Sequence, residues 1–105
     1  MKFVLNKCYG GFGLSETALR ELGIPYIRDD GYVYVTDPDI DLDSLRFRSS
    51  PELVRLVELD SEEMSGDLAD LKVIEIPDNA TDYDLDEYDG VETLIYVVDG
   101  KIHRI

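Results

Sequence analysis

Three Asp-Gly pairs constrain this chain most, because they divide it into short segments that are joined by tight turns. The pairs are Asp30-Gly31, Asp89-Gly90 and Asp99-Gly100, and each follows or precedes a run of apolar and β-branched residues. A two-residue type I′ turn needs positive φ at both central positions, which Asp-Gly tolerates well. The sequence therefore predicts several β-hairpins, including one over residues 93–105.

Two helices are predicted, over residues 15–23 and 51–64. Ser15 is a typical N-cap for the first helix, and Gly23 is a typical C-terminal stop. The second helix begins at Ser50-Pro51, since proline is favoured at the first helical position. Apolar residues recur at helical spacing in both segments, so each helix is expected to bury one face.

Residues 2–7 are predicted to form the first strand, with Phe3 and Leu5 on one side and Val4 on the other. At 105 residues the chain has the size of one domain. We therefore expect a single α+β domain over residues 1–105. Its expected architecture is a small, mostly antiparallel or mixed sheet of four to six strands, with two helices packed on one face.

The charge balance limits the partners that this chain can have. Twenty-four Asp and Glu residues oppose ten Lys and Arg residues, which gives a formal net charge of −14. Nucleic acids and anionic lipids are bound mainly by Lys and Arg, so neither direct nucleic-acid binding nor membrane binding is expected. The expected partner is a protein with a basic surface, and the oligomeric state stays open. With one cysteine, no disulfide framework and no apolar run near the ~20 residues of a membrane span, we expect a cytoplasmic protein.

Two acidic segments lie outside the predicted helices, and a solvated acidic surface is their favoured interpretation. If this surface is functional, the two segments form the candidate partner-binding surface, because exposed loops can present carboxylates without disturbing a core. A calcium-binding EF-hand loop needs Gly at its sixth position and Glu at its twelfth. Neither segment meets this requirement, and we expect no metal and no cofactor. The candidate residues are Asp37, Asp39, Asp41, Asp43, Asp82, Asp84, Asp86, Glu87, Tyr88 and Asp89.

A glycine-rich loop between the first strand and the first helix is the most distinctive local motif. It lacks the G-x-G-x-x-G spacing of a dinucleotide site and the Gly-Lys-Ser/Thr of a P-loop. A structural turn is the favoured interpretation, and a protein-contact loop or an anion site are the alternatives. Cys8 and His103, the only thiol and the only imidazole, would make a nucleophile only if the fold brought them together. The loop residues of interest are Tyr9, Gly10, Gly11, Phe12 and Gly13.

Four segments resemble a family of small uncharacterised proteins of tailed phages and prophages. Residues 7–15 (KCYGGFGLS) are similar to the opening of that family, and residues 50–54 (SPELV) are similar to its helix start. Residues 71–78 (LKVIEIPD) and 87–92 (EYDGVE) are similar to its later motifs, in the same order. The resemblance implies a phage or prophage setting, with the host cytoplasm as the location, and it brings no activity with it.

The leading hypothesis is a non-enzymatic phage-type accessory protein. It would bind and modulate a host protein through the acidic surface, for example a defence or nucleic-acid-handling protein, as an anti-CRISPR-like inhibitor does. One alternative is a binder or modifying enzyme for a small anionic ligand, using residues 9–15 and Cys8. Another alternative is a minor structural protein of the virion. A salt-sensitive protein complex would favour the first hypothesis, and ligand-dependent thermal stabilisation would favour the second.

Overall fold

Four short helices and seven strands make up the computed structural model, which describes all 105 residues. None of the helices has the length and apolar character that a membrane crossing requires. In chain order the elements are β1 (Lys2–Asn6), α1 (Glu16–Leu22), β2 (Tyr26–Asp29), β3 (Tyr32–Val35), α2 (Leu45–Arg48), α3 (Pro51–Leu59), α4 (Ser61–Met64), β4 (Leu71–Glu75), β5 (Thr81–Tyr88), β6 (Val91–Val98) and β7 (Lys101–Arg104).

The strands form three small antiparallel sheets, with orders β1-β4, β2-β3 and β5-β6-β7. The α+β class and the antiparallel pairing that the sequence predicts are therefore confirmed. The expected single sheet of four to six strands is instead divided into three, and four helices take the place of the two that were expected.

The separation of the β1-β4 pair from the three-stranded sheet has a physical reason at the second edge of β1. There the N–H of Asn6 donates to Glu92 Oε1 at 2.8 Å, and the carbonyl of Val4 accepts from Arg48 Nη1 at 3.2 Å. These are the backbone groups that a second neighbouring strand would use. Because side chains occupy them, β1 pairs only with β4, and β6 packs beside β1 without joining its ladder.

All three Asp-Gly pairs form the predicted two-residue turns. Asp30, Asp89 and Asp99 have φ between 51° and 52°, and the glycines that follow them have φ between 76° and 92°. Positive φ at both positions is the geometry of the type I′ turn. The turns join β2 to β3, β5 to β6 and β6 to β7, so the C-terminal hairpin lies where the sequence predicts it.

Strand β1 separates two hydrophobic clusters, as its alternating pattern predicts. Val4 is completely buried in the larger cluster, among residues of the helices. Phe3 and Leu5 point to the other side, into a smaller cluster that includes Leu94 and Tyr96 of β6. One strand thus links the helical part of the molecule to the three-stranded sheet.

The predicted helix starts are correct, and the second predicted helix is interrupted. The hydroxyl of Ser15 accepts the N–H of Ala18 at 3.1 Å, and Gly23 ends α1 with φ at 68°. The segment predicted as one helix over 51–64 breaks at Asp60, whose φ of −159° and ψ of 89° are not helical. The Asp60 carboxylate then caps α4 by accepting the N–H of Glu63 at 3.1 Å.

The short helix α2 lies in a region for which the sequence predicts no regular structure. Ser44 is its N-cap and accepts the N–H of Phe47 at 3.1 Å. A helix of four residues is too short for an apolar stripe to repeat, so its periodicity is not visible in the sequence. Its importance is that its last residue, Arg48, is completely buried.

Candidate functional site

The glycine-rich loop packs closely against residues 66–69, which precede β4. Gly66 donates its N–H to the carbonyl of Gly13 at 2.9 Å. Gly10 lies so near Leu68 that an added Cβ would be 1.9 Å from the carbonyl oxygen of Leu68. The absence of a side chain at Gly10 therefore permits a close contact between two backbone segments. This geometry supports the interpretation of the loop as a structural turn.

Phe12 is held in place by a buried cation. The guanidinium of Arg48 lies 3.5 Å from the centre of the Phe12 ring, a short cation–π contact. Arg48 Nη1 and Nη2 donate to the two oxygens of Glu92 at 2.6 and 2.8 Å, and Glu92 is also buried. A third contact reaches the exposed Asp43, at 3.2 Å. The ring of Phe12 is thereby held against the buried ion pair.

One side of Phe12 faces a groove of about 690 Å³, which we name the glycine-loop groove. Three segments form its walls: the loop itself with the start of α1, the β2–β3 hairpin, and the segment before β4. Such a volume is in the usual range for sites that accept ligands or side chains. The lining residues are Gly10, Gly11, Phe12, Gly13, Leu14, Ser15, Glu16, Arg28, Asp30, Gly31, Tyr32, Val33, Gly66, Asp67, Leu68 and Ala69.

A second groove of about 620 Å³, which we name the acidic groove, lies between α2 and β5. It contains carboxylates from both predicted acidic segments: Asp43 from the first, and Asp84 and Glu87 from the second. Gly11 and Phe12 line both grooves, which are therefore adjacent. The structure thus brings together residues that lie about 40 positions apart in the chain. The complete lining is Gly11, Phe12, Asp43, Leu45, Asp84, Leu85, Glu87, Gly90 and Glu92.

The other candidate residues lie outside the acidic groove. In the first segment, the carboxylates of Asp37 and Asp41 accept the backbone N–H groups of Asp39 and Asp43, at 2.9 and 3.0 Å. These bonds shape the loop and leave the remaining carboxylate oxygens at the surface. In the second segment, Asp82, Asp86, Tyr88 and Asp89 are exposed and do not line the groove.

Most of the candidate carboxylates have no cationic partner. Of the nine acidic candidates, only Asp43 and Asp86 lie within 4.0 Å of a basic group, Asp43 with Arg48 and Asp86 with Arg104. The remaining seven, which include Asp84 and Glu87 of the acidic groove, form no salt bridge. The field of this surface is therefore not neutralised by the protein's own cations.

Lys7, which directly follows β1, reaches the same region but does not neutralise the acidic groove. Its amine donates to the backbone carbonyl of Glu92 at 2.6 Å. Burial lowers the pKa of Lys7 below its ordinary value of 10.5, and the charge of Glu92 opposes this change in part. The lysine thus bonds to the backbone of β6, and it lines neither the glycine-loop groove nor the acidic groove.

Cys8 and His103 do not contribute to either groove. Cys8 is partly buried, and its backbone carbonyl accepts a hydrogen bond from Asn6 Nδ2 at 2.7 Å. The ring of His103, on β7, stacks on Tyr96 with 5.3 Å between ring centres. No group of three or more His, Cys, Asp or Glu side chains is arranged to hold a metal ion.

Sequence reasoning missed Arg48, which holds the ring of Phe12, and its partner Glu92, which lines the acidic groove. The two residues are 44 positions apart, and no spacing in the sequence links them. Comparison with known proteins adds no further guide, because no protein-family model, curated protein or solved structure matches the chain.

Proposed function

We propose that this protein is a non-enzymatic binding protein that engages a basic surface of another protein through the acidic groove. The observation that carries the proposal is the meeting of Asp43, Asp84 and Glu87 in one groove. Asp84 and Glu87 form no salt bridge, whereas Asp43 already pairs with the buried Arg48. Carboxylates that gather in a concave surface concentrate the electrostatic field and attract positively charged groups. Arginine and lysine side chains of a partner could pair with these carboxylates without rearrangement of the backbone.

The net charge of −14 extends this preference beyond the groove. Long-range attraction accelerates encounter with a basic partner, and like charge disfavours nucleic acids and anionic membranes. The resemblance to phage proteins leads us to propose a host protein as the partner and the host cytoplasm as the place of action. A host defence or nucleic-acid-handling protein would offer the basic groove that such a surface could occupy, as an anti-CRISPR-like inhibitor does.

A small anionic ligand in the glycine-loop groove is less well supported. Arg28 is the only Lys or Arg that lines this groove, and its guanidinium already pairs with Glu16 at 3.2 Å. Asp30 and Asp67 also line it, and they would repel an anion. Cys8 lies outside the lining, so it is not placed to act on a ligand bound there.

The test begins with an affinity pull-down from host lysate at about 0.05 and 0.5 M salt, between which the Debye length falls from ~14 to ~4 Å. Any protein retained only at low salt is then purified and its association rate measured. The groove variant is Asp43→Asn/Asp84→Asn/Glu87→Gln, in which each amide oxygen can still accept the hydrogen bonds of the original carboxylate. We expect its association rate to fall roughly tenfold, because steering acts mainly on the rate of encounter.

The matched control removes three carboxylates elsewhere, by Glu21→Gln/Glu62→Gln/Glu75→Gln. These residues are exposed and line neither groove. The control variant changes the net charge by the same amount as the groove variant, so general charge effects appear equally in both. An equal loss of association in the two variants, or a complex that ignores salt, would contradict the proposal.

A further inference from the structure

The glycine-loop groove has an apolar floor and an apolar rim. Phe12, Leu14 and Val33 lie along it. At the rim, the side chains of Tyr32 and Leu68 stand in solvent, with exposed fractions of 64% and 68%. An apolar side chain inserted between Tyr32 and Leu68 would remove apolar surface of both partners from water, which is favourable.

The charges of the groove select which apolar group can enter. Glu16, Asp30 and Asp67 line it, against Arg28 alone. Arg28 pairs with Glu16, whereas Asp30 and Asp67 form no salt bridge. An incoming segment with acidic residues would be repelled, and one with lysine or arginine beside its apolar residue would be attracted.

The glycine-loop groove is also continuous with the acidic groove, because Gly11 and Phe12 line both. Phe12 cannot easily move aside, since Arg48 holds its ring at 3.5 Å. A segment that lies across Phe12 would therefore meet an apolar groove on one side and three carboxylates on the other. Charge alone gives a fast but weak encounter, and a desolvated apolar anchor supplies the slow dissociation that specific binding needs.

We propose that the partner presents a segment in which an apolar side chain is followed or preceded by lysine or arginine. The apolar side chain enters the glycine-loop groove, and the basic side chains enter the acidic groove. This inference rests on the proposed function and specifies the chemistry of its partner. It assigns the glycine-rich loop a second role, as the shared wall of a two-part binding surface.

The experiment selects random displayed peptides against the immobilised full-length protein at about 0.1 M salt. We expect the enriched peptides to contain a leucine, isoleucine, methionine or aromatic residue within a few positions of two or more lysines or arginines. Their recovery should fall at least tenfold on Tyr32→Ser/Leu68→Ser, and also on Asp43→Asn/Asp84→Asn/Glu87→Gln. Recovery on Ile102→Ser/Leu59→Ser should not change.

The control residues match the groove residues in apolar character and exposure. Ile102 and Leu59 are 74% and 73% exposed, and neither lines the groove. A second variant, Gly13→Met, fills the groove without changing its charge. At Gly13 an added Cβ meets only the Cα of Gly66, at 3.9 Å, so the backbone need not shift.

The possible results separate the two proposals. Enrichment of basic peptides that bind the Tyr32→Ser/Leu68→Ser and Gly13→Met variants as well as the unaltered protein would overturn this inference and leave the proposed function standing. Enrichment of apolar or acidic peptides without basic residues, or no enrichment at all, would overturn both. Enrichment of apolar-basic peptides that depends on both grooves supports both.

Discussion

Arg48 and Glu92 form a buried two-point ion pair that takes the place of a neighbouring strand at the free edge of β1. The guanidinium donates to the carbonyl of Val4, and the carboxylate accepts the N–H of Asn6. The pair therefore satisfies two backbone groups in addition to its own charges. It also fixes Phe12, the residue shared by the two grooves. The fold and the candidate site thus depend on the same two residues.

Removal of one partner should destabilise the protein strongly. Arg48→Met or Glu92→Leu leaves an unpaired charge in the interior, which costs about 3–5 kcal/mol. The double variant Arg48→Met/Glu92→Leu has no buried charge, and such replacements are often neutral or stabilising. Here we expect it to remain about 2–6 kcal/mol less stable, since two buried backbone groups lose their partners at about 1–3 kcal/mol each. Urea denaturation gives the free energy of unfolding of all three variants. A double variant as stable as the original protein would show that the contacts to the backbone of Val4 and Asn6 do not contribute to stability.

Gly90 should tolerate a side chain much less well than Gly100. Both are the second residue of an Asp-Gly turn and have positive φ, 92° and 76°. An added Cβ at Gly90 would lie 2.5 Å from the backbone nitrogen of Gly11, whereas nothing lies within 4 Å of one at Gly100. The Gly100→Ala variant therefore measures the cost of positive φ alone, about 1 kcal/mol. In thermal unfolding, Gly90→Ala should lose clearly more stability than Gly100→Ala. Equal losses in the two variants would contradict the close contact between the Asp89-Gly90 turn and the glycine-rich loop.

The features that the sequence predicts correctly are those that depend on neighbouring residues. Positive φ in an Asp-Gly turn, a Ser15 cap and the alternation of Phe3, Val4 and Leu5 are all determined within a few positions. The boundary at Asp60 is also local, but an aspartate inside a mostly helical pattern is common enough that it does not signal a break by itself.

The features that the sequence does not predict depend on contacts between distant residues. The ion pair joins positions 48 and 92, and its occupation of the β1 edge separates the β1-β4 pair from the three-stranded sheet. For the site, the sequence identifies both acidic segments and the glycine-rich loop as separate candidates. Their meeting at Phe12 follows from the tertiary structure, so no pattern of spacing could reveal it.

The pKa of Lys2 should report its ion pair with Glu58. A hydrogen bond of 2.9 Å to Glu58, together with its charge, raises the pKa of Lys2 above 10.5. A raised pKa means that the folded state favours the charged amine, so the pair's contribution to stability is present below pH 10.5 and is lost as the pH rises through the raised value. In an NMR titration of the lysine side chain, Glu58→Gln should lower the midpoint of Lys2, because Glu58 is the main cause of the raised pKa. An unchanged midpoint in this variant would exclude Glu58 as the cause.

The carboxylates of Asp84 and Asp86 have a second role that any binding experiment must separate from their charge. β5 is an edge strand, and its N–H groups at Leu85 and Glu87 are bonded by the side chains of the preceding aspartates, at 2.8 and 3.0 Å. Open N–H groups at a sheet edge invite pairing with another chain. Capping by a carboxylate thus protects this edge from self-association.

Asparagine and valine replacements distinguish charge from capping. Asp84→Asn/Asp86→Asn keeps an oxygen that can accept each N–H, so we expect it to keep the association state of the unaltered protein while its association with a basic partner slows. Asp84→Val/Asp86→Val loses both the charge and the cap, and it adds β-branched residues that favour strands. Sedimentation velocity over a roughly tenfold range of concentration should show self-association beyond that of the unaltered protein for the valine variant only. Asp39→Val/Glu62→Val controls for the change in charge, because neither side chain caps a strand. If the asparagine variant self-associates as strongly as the valine variant, repulsion between charges rather than hydrogen-bond capping protects this edge.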